Sequence, residues 1–296
     1  MLNVLVVFYW IAVNGATLFA LLSYATGRFQ FEIIRNVHEY GKLYHVVQSK
    51  EKTVASYLSR LRVPKSWFSH FYAFAILTFV GILLETRYHV IVPFPPPPPT
   101  SSPLLLSNWF GHLTSSEVSL CLVLMLIQVT RRFYETVYIS IFSPKAKIHI
   151  AAYLVGIAHY QGIGLSLALE SYAAKPSIFD LKWFQWAAVL LFIWASYHQH
   201  ATFRILASLR RNSSDATGYY IPTGDWFRYV SCPHYLAELL IYTALITIAR
   251  GSSIVLWLVY GFVLANQTLC AMQSHAWYRI NKKCTPAKYC LIPYIL

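Results

Sequence analysis

Long apolar runs separated by short polar segments dominate the pattern of this chain. A charge-free run of at least about 18 residues is long enough to cross a bilayer as a helix. Five such runs occur, and two shorter or interrupted runs fill the gaps between them. The pattern predicts seven membrane-spanning helices, at residues 1–27, 66–84, 118–130, 148–169, 183–203, 236–249 and 251–278. The predicted fold class is therefore all-α, a polytopic membrane protein.

The basic residues are distributed unevenly between the segments that connect these spans. With seven spans the segments alternate between two sides, and twenty of the 24 Lys and Arg residues fall on one side. Those segments are 28–65, 131–147, 204–234 and the tail from residue 279. Because cytosolic loops carry the excess of Lys and Arg, we expect a cytosolic C-terminus and a lumenal N-terminus.

Composition supports the membrane class and excludes several functions. The chain is 57% hydrophobic and 12% charged, whereas soluble domains are about 25% charged. The net charge of +13 is not concentrated on one face as nucleic-acid binding requires, so we expect no nucleic-acid partner. The five cysteines form no CxxC pair, which argues against a disulfide framework or a zinc site. No Rossmann or P-loop glycine motif occurs.

The remaining segments divide one membrane domain into parts. The mixed-charge segment 28–65 is compatible with an interfacial helix, and the proline-rich segment 92–103 predicts an extended lumenal loop. Residues 210–218 predict a flexible cytosolic loop. We divide this single membrane domain into an N-terminal anchor and interfacial segment (1–62), a central set of helices (63–180) and a C-terminal region (181–296).

Polar side chains in the late spans crowd the predicted cytosolic end of the bundle. Such groups inside a bilayer usually face the bundle interior and often mark a site. A phosphorylated dinucleotide needs cations for its phosphates, carboxylates and amides for ribose and nicotinamide, and aromatic rings for stacking. The candidate cofactor-binding residues are Gln199, Arg210, Asp225, His234, Tyr235, Glu238, Asn266, His275, Tyr278 and Lys282.

Simpler roles remain open for many of these side chains. Asn266 can hold helices together by hydrogen bonds, and Arg210 and Lys282 can belong to the basic collar of the cytosolic side. Tyrosines at span ends commonly anchor a helix at the interface. Glu238 is harder to explain this way, because a carboxylate one turn into an apolar span needs a partner.

Two late segments carry a resemblance to a known family. "IPTGDWFRYVSCPHYLAELLIY" (221–242) and "NQTLCAMQSHAWYRINKKCTPAKYCLIPYIL" (266–296) resemble the C-terminal domain of the steroid 5-alpha-reductase family. Upstream, "VPKSWFSHFYAF", "RRFYETVYISIFS" and "FIWASYHQH" resemble the branch of that family that reduces polyprenyl lipids. The resemblance covers residues from about 63 to 296.

The resemblance implies a seven-span enzyme of the endoplasmic reticulum that uses NADPH. Its substrate would be the alpha-isoprene C=C of a polyprenyl chain, on the route to dolichol for N-glycosylation. Arg210 lies where the family has a phosphate-contacting arginine, and Gln199 where steroid reductases have an asparagine near the cofactor. His234 replaces a common asparagine, while Glu238, His275 and Tyr278 match the family pattern.

The sequence also departs from the steroid-reducing members. Ser56 and Tyr57 stand where those enzymes have a Gln-Glu pair, and Tyr220 stands where an arginine precedes Ile-Pro. Gln128 and Val129 stand near the position of their His-Tyr pair, whose tyrosine polarises the steroid ketone. These departures argue against chemistry on a steroid ketone.

Reaction chemistry favours an aldehyde as the immediate substrate. Hydride attack on C=C requires electron withdrawal, which an α,β-unsaturated aldehyde provides and an allylic alcohol does not. We therefore predict polyprenal rather than polyprenol as substrate. The developing oxyanion needs a hydrogen-bond donor, and the candidate catalytic residues are His70, Tyr134 and Tyr138.

Other functions remain as alternatives at the level of the sequence. They are a 3-oxo-5-alpha-steroid or trans-2-enoyl-CoA reductase, an isoprenylcysteine methyltransferase-like enzyme, and a membrane transporter or scaffold. A transporter predicts polar residues along a path through the bilayer midplane, whereas the polar residues here gather at one end.

Overall fold

The structure is a computed structural model that describes most of the chain. The described residues are 2–27, 61–88, 113–143, 146–171, 181–211, 220–282 and 289–296. The segments predicted as an interfacial helix (28–65), a proline-rich loop (92–103) and a cytosolic loop (210–218) lie largely or wholly outside these residues.

Within the described ranges the chain forms seven α-helices of 16 residues or more. Their bounds are α1 Leu2–Ala25, α2 Phe68–Tyr88, α3 Ser115–Tyr134, α4 Ile150–Glu170, α5 Trp183–Arg211, α6 Pro233–Ile248 and α7 Ile254–Lys282. Each helix overlaps one of the predicted spans, and the all-α class is confirmed.

Short elements connect the helices near one end of the bundle. Two 3-10 turns occupy Lys65–Trp67 and Asp225–Arg228, and a π-helical turn at Glu135–Ile139 continues α3. Two short strands, β1 (Arg62–Pro64) and β2 (Lys147–His149), pair antiparallel with Val63 opposite Ile148.

Among the described residues, four helices are long and apolar enough to cross a membrane. These spans are Val4–Ala25, Lys65–Thr86, Ile150–Glu170 and Ile254–Ile280. The 16 residues of α6 extend roughly 24 Å at 1.5 Å per residue, short of a hydrocarbon core of about 30 Å. The polar residues in α3 and α5 lower their hydropathy, so the apolar pattern alone identifies four spans among the described residues.

Local sequence signals explain where several helices begin and end. Thr114 and Glu117 form a capping box at the start of α3, with reciprocal hydrogen bonds of 2.9 and 3.3 Å between backbone and side chain. Pro233 is the first residue of α6, where its missing N–H costs nothing. The turn from α6 to α7 uses Gly251 at φ +64°, and its N–H donates to the Ile246 carbonyl at 2.9 Å.

Helix α3 is longer than the predicted span, which ended at residue 130. Arg131 and Arg132 were expected in a connecting segment, but they lie in the last turn of α3. Both donate to Glu135, three and four residues later, and such pairs stabilise a continuing helix.

The helices pack around one apolar core, with α1 against α7, α5 against α6, and α2 against α3 and α4. Polar contacts of α1 fix its position. Trp10 is fully buried and donates its indole N–H to Ser166 of α4 at 3.0 Å, and Asn14 donates to the Leu258 carbonyl of α7 at 2.8 Å. Large apolar side chains such as Leu77 and Leu190 project outward, as expected for a surface that contacts lipid.

The C-terminal residues fold back onto the start of α6. The Ser231 N–H donates to the Tyr289 carbonyl at 2.9 Å, and the Cys232 N–H donates to the Cys290 carbonyl at 3.2 Å. The tail thereby braces the turn that precedes α6, which lines the candidate site.

Candidate active site

A cavity of about 550 Å³ opens within the helix bundle, at the end where α3 and α5 finish and where α2, α4 and α6 begin. Residues from all seven helices line it, with Arg132 from α3, and the π-helical turn that follows α3 contributes Thr136. This volume is within the range of small-molecule sites in proteins, about 300–1,000 Å³.

Most of the predicted cofactor residues meet at this cavity. Seven of the ten line its wall, namely Gln199, Arg210, His234, Tyr235, Glu238, Asn266 and Tyr278. Asp225 and His275 lie behind the wall, as described below, and the side chain of Lys282 lies outside the described part of the chain.

An amide–carboxylate network holds the α5 and α6 residues in place. Gln199 donates its amide N–H to a Glu238 carboxylate oxygen at 2.5 Å and to the His234 carbonyl at 3.1 Å. Gln128 of α3 donates to the same Glu238 oxygen at 3.2 Å and to the Gln199 amide oxygen at 3.1 Å. Arg131 donates to both glutamines. Glu238 therefore has the partners that its position in an apolar helix requires.

A second cluster of charges lies directly beside this network. Glu135 is fully buried and accepts from Arg131, Arg132 and, at 2.8 Å, from His200. Burial raises the pKa of the Glu135 carboxyl, but Arg132 and Arg131, with the hydrogen bond from His200, outweigh it and hold the pKa below its ordinary value. The carboxylate therefore fixes both guanidinium groups, and Arg132 reaches the cavity.

Asp225 organises the turn beside the cavity rather than lining the cavity itself. Its carboxylate lies 2.8 Å from His198 Nδ1, and the imidazole stacks on Trp226 with 4.4 Å between ring centroids. Asp225 adopts φ +42°, and Phe227, two residues later, is buried and lines the cavity.

His275 has a similar supporting position on α7. Its Nδ1 lies 2.8 Å from the Ser231 hydroxyl, and Ser231 lines the cavity. The contact joins α7 to the braced segment that leads into α6.

The three predicted catalytic residues do not line this cavity. The side chains of Tyr134 and Tyr138 are 52% and 70% exposed, so they face outward at the end of α3. His70 Nδ1 lies 3.0 Å from the Tyr153 hydroxyl, on the neighbouring side of α2. None of these three residues is among the described residues that line the cavity.

Four cavity residues have chemistry that the sequence pattern did not distinguish, namely Tyr72, Arg132, His159 and Tyr160. Arg132 is indistinguishable in sequence from the basic collar, and tyrosines near span ends resemble interfacial anchors. His159 Nε2 lies 2.8 Å from the Tyr242 hydroxyl. Only helix packing brings Tyr72 and Tyr160 together, with 5.6 Å between their ring centroids.

Apolar side chains also line the cavity. Val13 of α1, Phe71 of α2, Val155 of α4 and Phe262 of α7 are among them. One cavity therefore presents both polar and apolar side chains to a bound molecule.

The polar residues fit a phosphorylated dinucleotide by their chemistry. Lys65 and Arg210 supply cations for phosphate groups. Glu238 and Asn266 supply a carboxylate and an amide for hydroxyl and carboxamide groups. A nicotinamide cofactor thus matches the donor and acceptor set of the lining.

Comparisons with known proteins agree with this site. Residues 145–296 match the family described as 3-oxo-5-alpha-steroid 4-dehydrogenase. The chain is 30% identical to polyprenal reductase 1 of Oryza sativa subsp. indica, over 97% of this chain and 95% of that protein. It is 33% identical to polyprenal reductase of Xenopus laevis over 91% and 89% of the two chains, and 34% identical to that of Homo sapiens over 73% and 72%.

The matched region begins just before β2 and includes α4 to α7, which supply most of the cavity wall. The chain therefore belongs to the steroid 5-alpha-reductase family of membrane oxidoreductases.

Proposed function

We propose that this protein uses NADPH to reduce the alpha-isoprene C=C of polyprenal, a step toward dolichol at the endoplasmic reticulum membrane. The observation that carries the proposal is the cavity, whose lining combines cationic and other polar side chains with apolar ones. Similarity to polyprenal reductases over most of the chain supports the choice of substrate.

The two kinds of side chain suit a lipid substrate and a water-soluble cofactor. A polyprenyl chain leaves the bilayer only at a cost of about 0.8 kcal/mol per CH₂. The chain can stay among apolar side chains such as Phe71 and Phe262 while its aldehyde head reaches the polar side chains. The cofactor would approach from the aqueous end.

Specific residues would hold the cofactor. Arg210 and Lys65 are suited to phosphate groups, while Glu238, Gln199 and Asn266 are suited to ribose and nicotinamide. When bound, the reduced nicotinamide supplies a hydride. The protein's contribution is to orient the two reactants, since Gln199 and Glu238 are already fixed by the network with Gln128 and Arg131.

The proposal includes the membrane topology and the assignment of substrate and cofactor binding to different parts of the chain. We place seven spans in the membrane, with the N-terminus lumenal and the C-terminus and cavity cytosolic, because this arrangement collects twenty basic residues on one side. We assign substrate binding mainly to residues 63–180 and cofactor binding mainly to 181–296. The dolichol product would serve protein N-glycosylation.

Steroid reduction is less well supported than polyprenal reduction. Val129 stands near the position at which steroid reductases have the tyrosine that polarises the ketone, and its fully buried side chain has no group that donates a hydrogen bond.

A comparison of two lipids tests the substrate. Purified protein with NADPH should convert polyprenal to dolichal and should leave polyprenol unchanged, because only the aldehyde conjugates the C=C to a carbonyl. The measurement is mass spectrometry of the extracted lipids at equal substrate concentrations. Direct turnover of polyprenol at the rate of polyprenal would contradict the proposal.

A further inference from the structure

Tyr72 and Arg132 form a pair on the cavity wall that the cofactor network does not use. Arg132 Nη2 donates to the Tyr72 hydroxyl oxygen at 3.3 Å, and its guanidinium lies over the Tyr72 ring at 5.3 Å from the centroid. Both residues line the cavity, and Tyr72 is 7% exposed. A phenol is therefore held next to a positive charge on the lining of the cavity.

The position of Arg132 is fixed from two further directions. Its other terminal nitrogen donates to Glu135, which is fully buried. Its guanidinium also stacks over the Phe203 ring, 3.8 Å from the centroid. The hydrogen bond to Tyr72 is consequently made by a group with little freedom to move.

This geometry determines which way Tyr72 can donate. A guanidinium has only donors, so the Tyr72 oxygen is the acceptor and its own O–H points elsewhere. Among the described residues no side chain accepts that hydrogen. The hydroxyl hydrogen is therefore available to a group bound in the cavity.

We propose that Tyr72 donates its hydroxyl hydrogen to the aldehyde oxygen of the substrate and then transfers the proton to it, with Arg132 as the positioning residue. This inference rests on the proposed function and identifies the proton donor for that reaction. Charge-stabilising donors of this kind are commonly among the largest contributions to catalysis.

The step balances as follows. Hydride from the reduced nicotinamide forms a C–H bond at the β-carbon, and the C=C electron pair moves to join the α-carbon and the carbonyl carbon. The carbonyl π pair moves to oxygen, which takes the Tyr72 proton and becomes an enol. Tautomerisation then moves a proton to the α-carbon, and water returns one proton to Tyr72. The sum is one hydride and one proton added across C=C.

Arg132 favours this transfer because its positive charge stabilises the negative charge that develops on Tyr72. Neighbouring candidates lack the same arrangement. His159 is engaged with Tyr242 at 2.8 Å, and Tyr160 receives no hydrogen bond from a guanidinium in the described structure.

The carbonyl stretching band of a bound short-chain polyprenal, isotopically labelled at the carbonyl, tests the proposal without turnover. In native protein free of cofactor, the band should move to lower frequency than in detergent micelles, because the hydrogen bond weakens C=O. In Tyr72→Phe the band should return to the micelle frequency. With NADPH added, kcat should fall about 10²–10³-fold, while the Kd for NADPH stays within about twofold.

Three further variants complete the test. Tyr260→Phe removes a tyrosine hydroxyl of α7 that contacts Thr243 at 3.3 Å. Because Tyr260 is not among the residues that line the cavity, the band frequency and kcat should equal those of the native protein. Arg132→Lys should weaken the band shift, because an ammonium cannot reproduce the guanidinium geometry. Tyr160→Phe should keep the native shift of the carbonyl band.

The outcomes separate this inference from the proposed function. A native band shift in Tyr72→Phe, or its loss in Tyr160→Phe, would overturn the role of Tyr72, and the second comparison applies even if Tyr72→Phe does not fold. A native shift in Arg132→Lys would overturn the positioning role. If the native protein shows the band shift but does not reduce polyprenal, the proposed function and the proton transfer are overturned, while the hydrogen bond from Tyr72 to the aldehyde stands, since the band is read without cofactor.

Discussion

Replacing Glu135 with Gln should lower the free energy of unfolding by about 3–5 kcal/mol, because it removes one side of a buried ion pair. Glu135 is fully buried and accepts from two arginines whose side chains are 18% and 11% exposed. Without its charge, Arg131 and Arg132 lose their direct carboxylate partner. Thermal unfolding in detergent micelles should show a Tm lowered by roughly 10 °C.

Glu117→Gln is the matched control for this variant. Glu117 is also buried and pairs with Arg250 at 2.7 Å, but that arginine is 39% exposed and can be solvated. The loss of stability should be clearly smaller than for Glu135→Gln. Equal Tm values for Glu135→Gln and the native protein would show that the cluster does not stabilise this end of the bundle.

Replacing Glu238 with Gln should weaken NADPH binding roughly ten- to hundredfold, which corresponds to loss of a charged hydrogen bond of about 1.5–3 kcal/mol. Glu238 lines the cavity and accepts from Gln199 and Gln128. A neutral amide there also disturbs the orientation of Gln199. The Kd is measured by quenching of tryptophan fluorescence during titration with NADPH.

The control for Glu238→Gln is Glu170→Gln. Glu170 is the last residue of α4, at the end of that helix opposite to the cavity. Glu170 is 1% exposed and accepts from Ser253 at 2.6 Å, away from the cavity. This variant removes a buried carboxylate without touching the cavity, so its Kd should stay native. A native Kd in a folded Glu238→Gln protein would remove Glu238 from cofactor binding.

The apolar pattern was sufficient to predict the helical class and the place of every long helix among the described residues. It was less informative about α3, because Arg131 and Arg132 looked like the start of a loop. Their helical position depends on Glu135, which pairs with them only when the helix continues. A charge count along the sequence does not detect this mutual dependence.

Some residues of the candidate site could likewise be predicted from the sequence, and others could not. Glu238 and Gln199 stand out because a polar group in an apolar helix needs a partner, and they are partners of each other at 2.5 Å. Tyr72 and Arg132 do not stand out, since their relation depends on how α2 packs against α3. Sequence spacing of 60 residues carries no information about a hydrogen bond between two helices.

Tyr134 and Tyr138 were predicted as catalytic residues from the sequence, but their side chains lie away from the cavity. They lie two and six residues after Arg132, yet the helical turn directs them to the outer face, where they are 52% and 70% exposed. Their residue type and their location along the chain suit a hydrogen-bond donor, but the helix face that they occupy points away from the cavity.

Transfer of isotope from the cofactor to the lipid tests the central claim most directly. Purified protein is incubated with polyprenal and NADPH deuterated at the reactive nicotinamide carbon, and the product is examined by mass spectrometry and NMR. The account predicts dolichal with one deuterium on the β-carbon. Dolichal without deuterium, or transfer of a methyl group from S-adenosylmethionine in place of reduction, would contradict it.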